Sequence, residues 1–284
     1  MRTVTKFTTS VLAAAALAVG ATACASSSGG TSAQQKGTDA SLIVAASPTP
    51  HAKILEFVRD HLAAKAGLKL EVRQFTDYVL PNTATENGDV GANFFQHKPY
   101  LDDFNKKNGT HIVPVVNVEL EPLGLYSHKA KSVKDIKDGA TIAVPNDTTN
   151  EGRAFKLLAA NGLLTLKSGT GNDATPASVA DNPKHLKFKE LEAAQLPRAL
   201  DDVDAAIVNG NYAIGDNLNP AKDALVLEKA EGNPYANFLA VKDGNQNDPR
   251  VQKLAKLLNS DAVKQYIEQT FKGAVVPAFG KPAS

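Results

Sequence analysis

"SLIVAASPTPHAKILEFVRDHLAAKAGLKLEVRQF", residues 41–75, decides the architecture. It opens on a short apolar run, "SLIVAAS", of strand length. It continues into a segment where Ile54, Leu55, Val58 and Leu62 recur at helical spacing, with Gly67 as a natural stop. "KLEVRQF" (69–75) then reads as a second strand. Strand, helix and strand in that order predict an α/β protein.

The same alternation extends in both directions from the opening unit. "VGANFF" and "IVPVVNVEL" continue the first series. A second series starts near Leu123. "TIAVPND" (141–147) is a strand, "NEGRAFKLLAANG" a helix closed by Gly162, and "LKFKELE" and "DAAIVNGNYA" further strands around a helical "AQLPRALDD". "PYANFLAVK" reads as a strand, and the chain ends in helices at "DPRVQKLAKLLNS" and "DAVKQYIEQTF". Asp248 is placed to cap the first of these, with Pro249 in its first turn. The alternation predicts mostly parallel sheets, in two lobes joined by extended connections. No repeat of 20 to 50 residues is evident, which disfavours a solenoid or propeller.

The chain has 284 residues, 43% of them hydrophobic, enough for a substantial core. Lys and Arg number 31 against 30 Asp and Glu, a net charge of +1, and no basic run stands out. Nucleic acid is therefore not an expected partner, because phosphate binding needs clustered positive charge.

Residues 1–23 read as an export signal. Arg2 and Lys6 flank the apolar "VLAAAALAV", a run too short to span a bilayer. "ATAC" follows, and Cys24 is the only cysteine, so no internal disulfide can form. The pattern resembles a bacterial lipobox, which implies that Cys24 carries a diacylglycerol anchor on the extracytoplasmic face of the cell membrane. Residues 24–40, rich in Ser, Gly and Ala, read as a flexible tether.

Enzyme signatures are missing from the text. No G-x-S-x-G or phosphate-binding G-x-x-x-x-G-K-[ST] occurs, and "GTGNDA" (169–174) lacks the third glycine of a dinucleotide loop. "DGNQNDP" fails as a calcium loop, with Asp248 where glycine is required and Leu254 where a glutamate is. His51, His61, His97, His111, His128 and His185 show no helical zinc spacing, which leaves only long-range convergence open. Asp201, Asp202 and Asp204 read as solvated acids at a helix-to-strand turn. No catalytic residue, metal ligand or cofactor is expected.

"GANFFQHKPYL" (91–101) remains, dense in aromatics where the chain otherwise uses them sparingly. Phe94 and Phe95 are adjacent, so extended backbone sends one to the core and the other to a surface or cleft.

With "FTDYVLPN", "FFQHKPYLDDFN", "AVPNDTTNEGRA", "ELEAAQLPRALDDVDAAIVNGNYA", "NPAKDAL" and "GAVVPAF", the chain resembles the NlpA/MetQ family of methionine-binding lipoproteins from about Ser41 to Phe279. These are substrate-binding components of ABC importers. The resemblance implies a periplasmic-binding-protein-like fold with lobe one at 41–122 plus 237–284, lobe two at 123–236, and crossings near "VELEPLG" and "NPYAN". It also implies a permease and its ATPase as partners, and methionine, L or D, or a close analogue as ligand. Another small amino acid or a methionine-containing dipeptide is the alternative. Tyr78, Phe95, His97 and Tyr100 match positions that enclose the methionine side chain, with Phe94 left to packing and His97 a neutral ring. Asn150, Arg153, Asn209 and Asn237 match positions that hold the α-carboxylate and α-amino group. A buried arginine needs an anion, and by this resemblance the ligand's carboxylate supplies it for Arg153.

Overall fold

The computed structural model describes residues 40–282, so the export signal, Cys24 and nearly all of the tether lie outside the described residues. Strand β1 (Leu42–Ala46) is followed by helix α1 (Lys53–Val58), which buries Ile54, Leu55 and Val58. Helical turns continue to Ala66, and Gly67 at φ +62° ends them in a left-handed conformation that favours glycine. Strand β2 (Leu70–Gln74), helix α2 (Leu80–Asn87), strand β3 (Ala92–His97), helix α3 (Lys98–Asn108) and strand β4 (Ile112–Leu120) follow.

The chain then builds strands β5 (Gly124–Tyr126) and β6 (Thr141–Pro145), helix α4 (Thr148–Ala160), and the small hairpin of β7 (Thr165–Leu166) and β8 (Val179–Asp181). Strand β9 (Lys187–Leu191), helix α5 (Leu196–Ala199), strand β10 (Ala205–Val208), helices α6 (Gly210–Gly215) and α7 (Pro220–Asp223), and strand β11 (Ala224–Leu227) come next. Strand β12 (Asn237–Lys242), helices α8 (Pro249–Leu258) and α9 (Asp261–Phe271) and strand β13 (Val276–Gly280) complete the chain. Asp248 caps α8 as expected, its side chain accepting the Arg250 N–H at 2.8 Å.

Two sheets organise these elements. The larger has the order β13-β4-β12-β3-β1-β2, and the smaller β11-β5-β10-β6-β9. Sheets that are mostly parallel are not what forms. β1 pairs in parallel with β2 and β3, and β6 with β9 and β10, but β12 runs antiparallel to both β3 and β4, and β5 antiparallel to β10 and β11. The reason is topological. β12 arrives from the smaller sheet and inserts between β3 and β4, a long-range pairing that local periodicity does not encode. A second difference lies in "DAAIVNGNYA": the strand stops at Val208, and Asn209 onward turns into α6.

Burial explains the residue types. β1 and β3 are central and covered on both faces, so they read as near-continuous buried runs. Leu42, Val44, Phe94 and Leu239 form the larger core with Val251, Leu254, Ile267 and Phe271 from α8 and α9. Ile142, Val144 and Ile207 pack with Phe155 and Leu158 of α4 in the smaller one. The chain passes from the larger sheet to the smaller over Glu121, Pro122 and Leu123, and returns over residues 228–236. No helix among the described residues is long and apolar enough to cross a membrane.

Candidate functional site

The junction of β3 and α3 falls inside "FFQHKPYL" and builds an aromatic wall. Phe94 turns into the larger core and meets the His51 ring edge-on at 4.7 Å, while Phe95 turns to a cavity between the two sheets. His97 ends the strand and caps α3, its Nδ1 accepting the Tyr100 N–H at 3.2 Å. That bond orients both side chains. The Tyr100 hydroxyl donates to the Tyr78 carbonyl at 2.9 Å, and the Tyr78 hydroxyl donates to Asn211 Oδ1 at 2.6 Å. The rings of Tyr78, Phe95 and Tyr100 lie 5.7 to 6.1 Å apart in tilted and edge-on arrangements. Burial pushes both tyrosine hydroxyls well above their ordinary range, so both stay neutral. Behind the wall, Asn82, Asn93 and Gln96 tie α2 to β3 through side-chain amide bonds of 2.7 to 3.1 Å.

The facing wall is polar and is built at the start of α4. Asp147 caps the helix by accepting the Asn150 N–H, and both its carboxylate oxygens also accept the Asn150 side-chain NH₂ at 3.0 Å. Asn150 Oδ1 is thereby aimed outward, where it accepts from Asn209 Nδ2 at 3.0 Å and meets His97 Nε2 at 3.1 Å. Because His97 Nδ1 accepts the Tyr100 N–H, the imidazole proton sits on Nε2 and donates to Asn150. Burial, reinforced by Arg153, holds this imidazole down to about 3, so His97 is neutral.

Arg153 lies one turn further along α4 and departs from the sequence expectation. Its Nε donates to Glu228 Oε1 at 2.7 Å and its Nη2 to Glu228 Oε2, forming a two-pronged pair, while Nη2 also reaches the Glu121 carbonyl at 3.0 Å. The guanidinium sits 4.2 Å over the Tyr235 ring. Arg153 therefore has an internal anion, Glu228, which sequence reasoning missed. Nη1 is the edge these bonds leave out.

Beneath the walls, where the chain crosses between sheets, three titratable side chains converge. His51 Nε2 lies 3.1 Å from Glu119 Oε1 and 3.2 Å from Glu121 Oε1, and all three are buried. Burial pushes both carboxyls up to about 8, Glu121 further helped by Glu119 and opposed by His51, and it lowers the His51 imidazole. The Asn237 amide beside Glu119 works against that rise. Among the described residues this is the set whose donor atoms, within 4.8 Å of one another, could hold a metal ion. It is the long-range histidine convergence that spacing alone could not reveal. Gly210 closes the floor: a Cβ there would come within 2.7 Å of the Glu121 Cβ, so only glycine lets α6 approach this closely.

These surfaces face one another across a narrow cavity between the two sheets. All eight residues singled out from the sequence line it: Tyr78, Phe95, His97 and Tyr100 on the aromatic side, Asn150, Arg153 and Asn209 on the polar side, and Asn237 at the start of β12. Gln96, Glu121 and Gly210 line it too and were not anticipated, and Asn211, the neighbour of Asn209 in "VNGNY", lines it beside Asn209. Asp204, from the acidic run, is occupied elsewhere by the Thr141 N–H and Lys129. Exposed bonds link the same two parts of the chain, from Tyr212 Oη to the Thr76 carbonyl at 2.9 Å and from Lys107 Nζ to Thr148 Oγ1 at 2.6 Å.

Comparison with known proteins gives a family profile described as NlpA lipoprotein, matching residues 42–279. The D-methionine-binding lipoprotein MetQ of Escherichia coli is 44% identical over 214 residues, covering 75% of this chain and 79% of that protein. A nutrient-binding protein from Burkholderia cenocepacia, solved bound to methionine, is 46% identical with a TM-score of 0.81, covering 84% of this chain and all of that one. An ABC transporter periplasmic substrate-binding protein from Coxiella burnetii is 41% identical with a TM-score of 0.80 over the same shares. The named functions of these relatives are binding and transport, not catalysis.

Proposed function

The chain belongs to the NlpA lipoprotein family, and from that premise we propose that it binds methionine, L or D, in the cavity between its two sheets and delivers it to an ABC permease powered by a cytoplasmic ATPase. It acts as a receptor and not as an enzyme. One observation carries the reading: a cage of three aromatic rings faces a polar wall with an arginine across one cavity. A thioether is apolar and polarizable, so it gains from burial and from sulfur-to-ring contacts worth about 0.3–1.5 kcal/mol each. Tyr78, Phe95, Tyr100 and the neutral His97 take that side chain.

The charged end of the ligand goes to the opposite wall. Arg153 Nη1 is oriented by the Glu228 fork and receives the α-carboxylate. Asn209 Oδ1, a buried acceptor without a partner, receives an N–H of the α-amino group, with Asn237 beside it. Asn150 serves by holding His97 and Asn209 in place as well as by lining the space.

In the working receptor, residues 41–122 plus 237–284 form one lobe and 123–236 the other, in keeping with strand membership in the two sheets. The lobes close over the ligand. Cys24 carries the lipid that holds the protein at the extracytoplasmic face of the cell membrane.

Thermal unfolding tests this reading. After denaturation and refolding to strip carried-over ligand, the protein is heated with each of a panel of amino acids. A specific ligand at a hundredfold excess over its Kd adds about 2.7 kcal/mol of stability. Methionine is expected to raise the midpoint, and the double variant Arg153→Met/Glu228→Gln, which removes both charges together, is expected to lose the shift while still folding. A panel in which neither methionine enantiomer moves the midpoint overturns the reading.

A further inference from the structure

The methionine reading gives His51, Glu119 and Glu121 no task, although all three are buried where the chain leaves the larger sheet. Their polar atoms are poorly served. Both nitrogens of His51, both carboxylate oxygens of Glu119 and Glu121 Oε1 are buried without a hydrogen-bond partner, and so is the Thr49 hydroxyl two residues before His51. Leaving so many polar atoms unpaired is costly, and native structures pair such groups with protein, water or an ion.

The three side chains come from separate parts of the chain and meet at one point. His51 stands in the turn between β1 and α1, Glu119 near the end of β4, and Glu121 in the crossing to the smaller sheet. Glu119 Oε1 and Glu121 Oε1 lie 3.1 and 3.2 Å from the same atom, His51 Nε2. One imidazole N–H cannot serve both carboxylates, and neither contact has the alignment of a hydrogen bond. The separations suit a shared ion: donors about 2.1 Å from a metal sit about 3.0–3.4 Å apart in octahedral and tetrahedral shells. The Asn211 N–H approaches the Glu121 carboxylate, an outer contact of the kind that orients a ligating side chain.

We propose that His51 Nε2, Glu119 Oε1 and Glu121 Oε1 form a binding site for one divalent first-row transition ion of the zinc class. The donors select the class. Imidazole nitrogen suits zinc, copper, iron and nickel, whereas magnesium and calcium take oxygen ligands. Charge balances, since two carboxylates and a neutral imidazole together cancel a 2+ ion. The guanidinium of Arg153 does not oppose the ion with a free positive charge, because Glu228 pairs with it. Three protein ligands leave a further position for water. The ion joins the first crossing between the sheets to the turn before α1, so its occupancy stiffens that connection whether or not methionine is bound.

The test titrates the metal alone into protein stripped of metal by a chelator and of other ligands by refolding. One Zn²⁺ per chain is expected to bind saturably and raise the thermal midpoint, while Mg²⁺ and Ca²⁺ leave it unmoved. Glu119→Gln keeps the side-chain shape and lies outside the cavity lining. It is expected to weaken Zn²⁺ binding by more than about a hundredfold, beyond the cost of losing an outer-shell partner, and His51→Gln is expected to do the same. Co²⁺ gives a readout that needs no variant: in wild type it should shift the ring resonances of His51 far outside their normal NMR range, and Zn²⁺ should reverse the shift. An adventitious ion only, held by exposed histidines such as His61, His111, His128 and His185, would bind equally well in both variants and leave the His51 resonances in place. That result overturns the site, and so does a wild type that binds no Zn²⁺. Either outcome leaves the methionine reading standing, because no step of the test uses methionine.

Discussion

Arg153 and Glu121 flank the same cavity at nearly the same depth, and the protein compensates their charges in opposite ways. Arg153 is 4% exposed and meets Glu228 through two parallel bonds, with Tyr235 packed beneath the guanidinium. Glu121 is 6% exposed and meets another carboxyl and an imidazole without a single well-formed hydrogen bond at Oε1. The first charge is held in place by geometry. The second is suppressed by burial, which pushes the carboxyl up to about 8.

Breaking the geometric pair is expected to have the largest effect. Glu228→Ala leaves a buried guanidinium without its anion, and chemical denaturation should register a loss of about 3–5 kcal/mol. A loss below ~1 kcal/mol would show that water reaches Arg153 and that the two sites do not differ as described.

The proton-managed site predicts a pH profile. Between pH 4.5 and 8 the fold holds more protons on Glu119 and Glu121 than the unfolded chain does. Their contribution is complete below the unfolded value of 4.5 and is lost as pH rises through about 8. His51 and His97 are kept neutral in the fold, so their contribution is present above 6.5 and lost as pH falls. The opposing slopes meet near pH 6.5. Stability of the ligand-free protein should therefore decline from pH 6.5 to 8, measured as the unfolding midpoint at fixed ionic strength. Glu119→Gln, which keeps the shape and removes one titrating group, should make the decline shallower. A profile that rises over this range contradicts the placement of protons on these carboxyls.

Smaller effects sharpen the same contrast. Tyr78→Phe removes the bond to Asn211 across the cavity and should cost about 0.5–1.5 kcal/mol. At the surface, Lys98 and Asp102 pair one helical turn apart, and Lys98→Ala should cost no more than about 0.5 kcal/mol. Chemical denaturation of both variants checks the order.

How much of this was legible in the sequence follows from which interactions are local. The β1–α1–β2 unit, the α4 helix and the Asp248 cap are local, and period and capping chemistry place them. The split of Phe94 from Phe95 is local too, since adjacent residues in a strand must diverge. The aromatic half of the cavity was visible because its residues crowd into one stretch. Glu228 was invisible as the partner of Arg153 because 75 residues separate them and "EKAEGNP" has no period or motif. The convergence of His51, Glu119 and Glu121 depends on how the crossing segment is laid beneath α6, which no spacing encodes. The insertion of β12 between β3 and β4, which makes the larger sheet mixed, is hidden for the same reason. Asn209 and Asn211 read as part of a strand from the sequence, and only the close approach of Gly210 to Glu121 shows why the chain turns into α6 there.

The central claim is that one methionine occupies the space between the aromatic cage and the paired arginine. Calorimetric titration of ligand-stripped protein with L-methionine and D-methionine tests it most directly. The account predicts saturable binding of at least one enantiomer at one site per chain, absent in Arg153→Met/Glu228→Gln. Saturable binding that survives unchanged in that double variant, or no binding of either enantiomer to wild type, would contradict it.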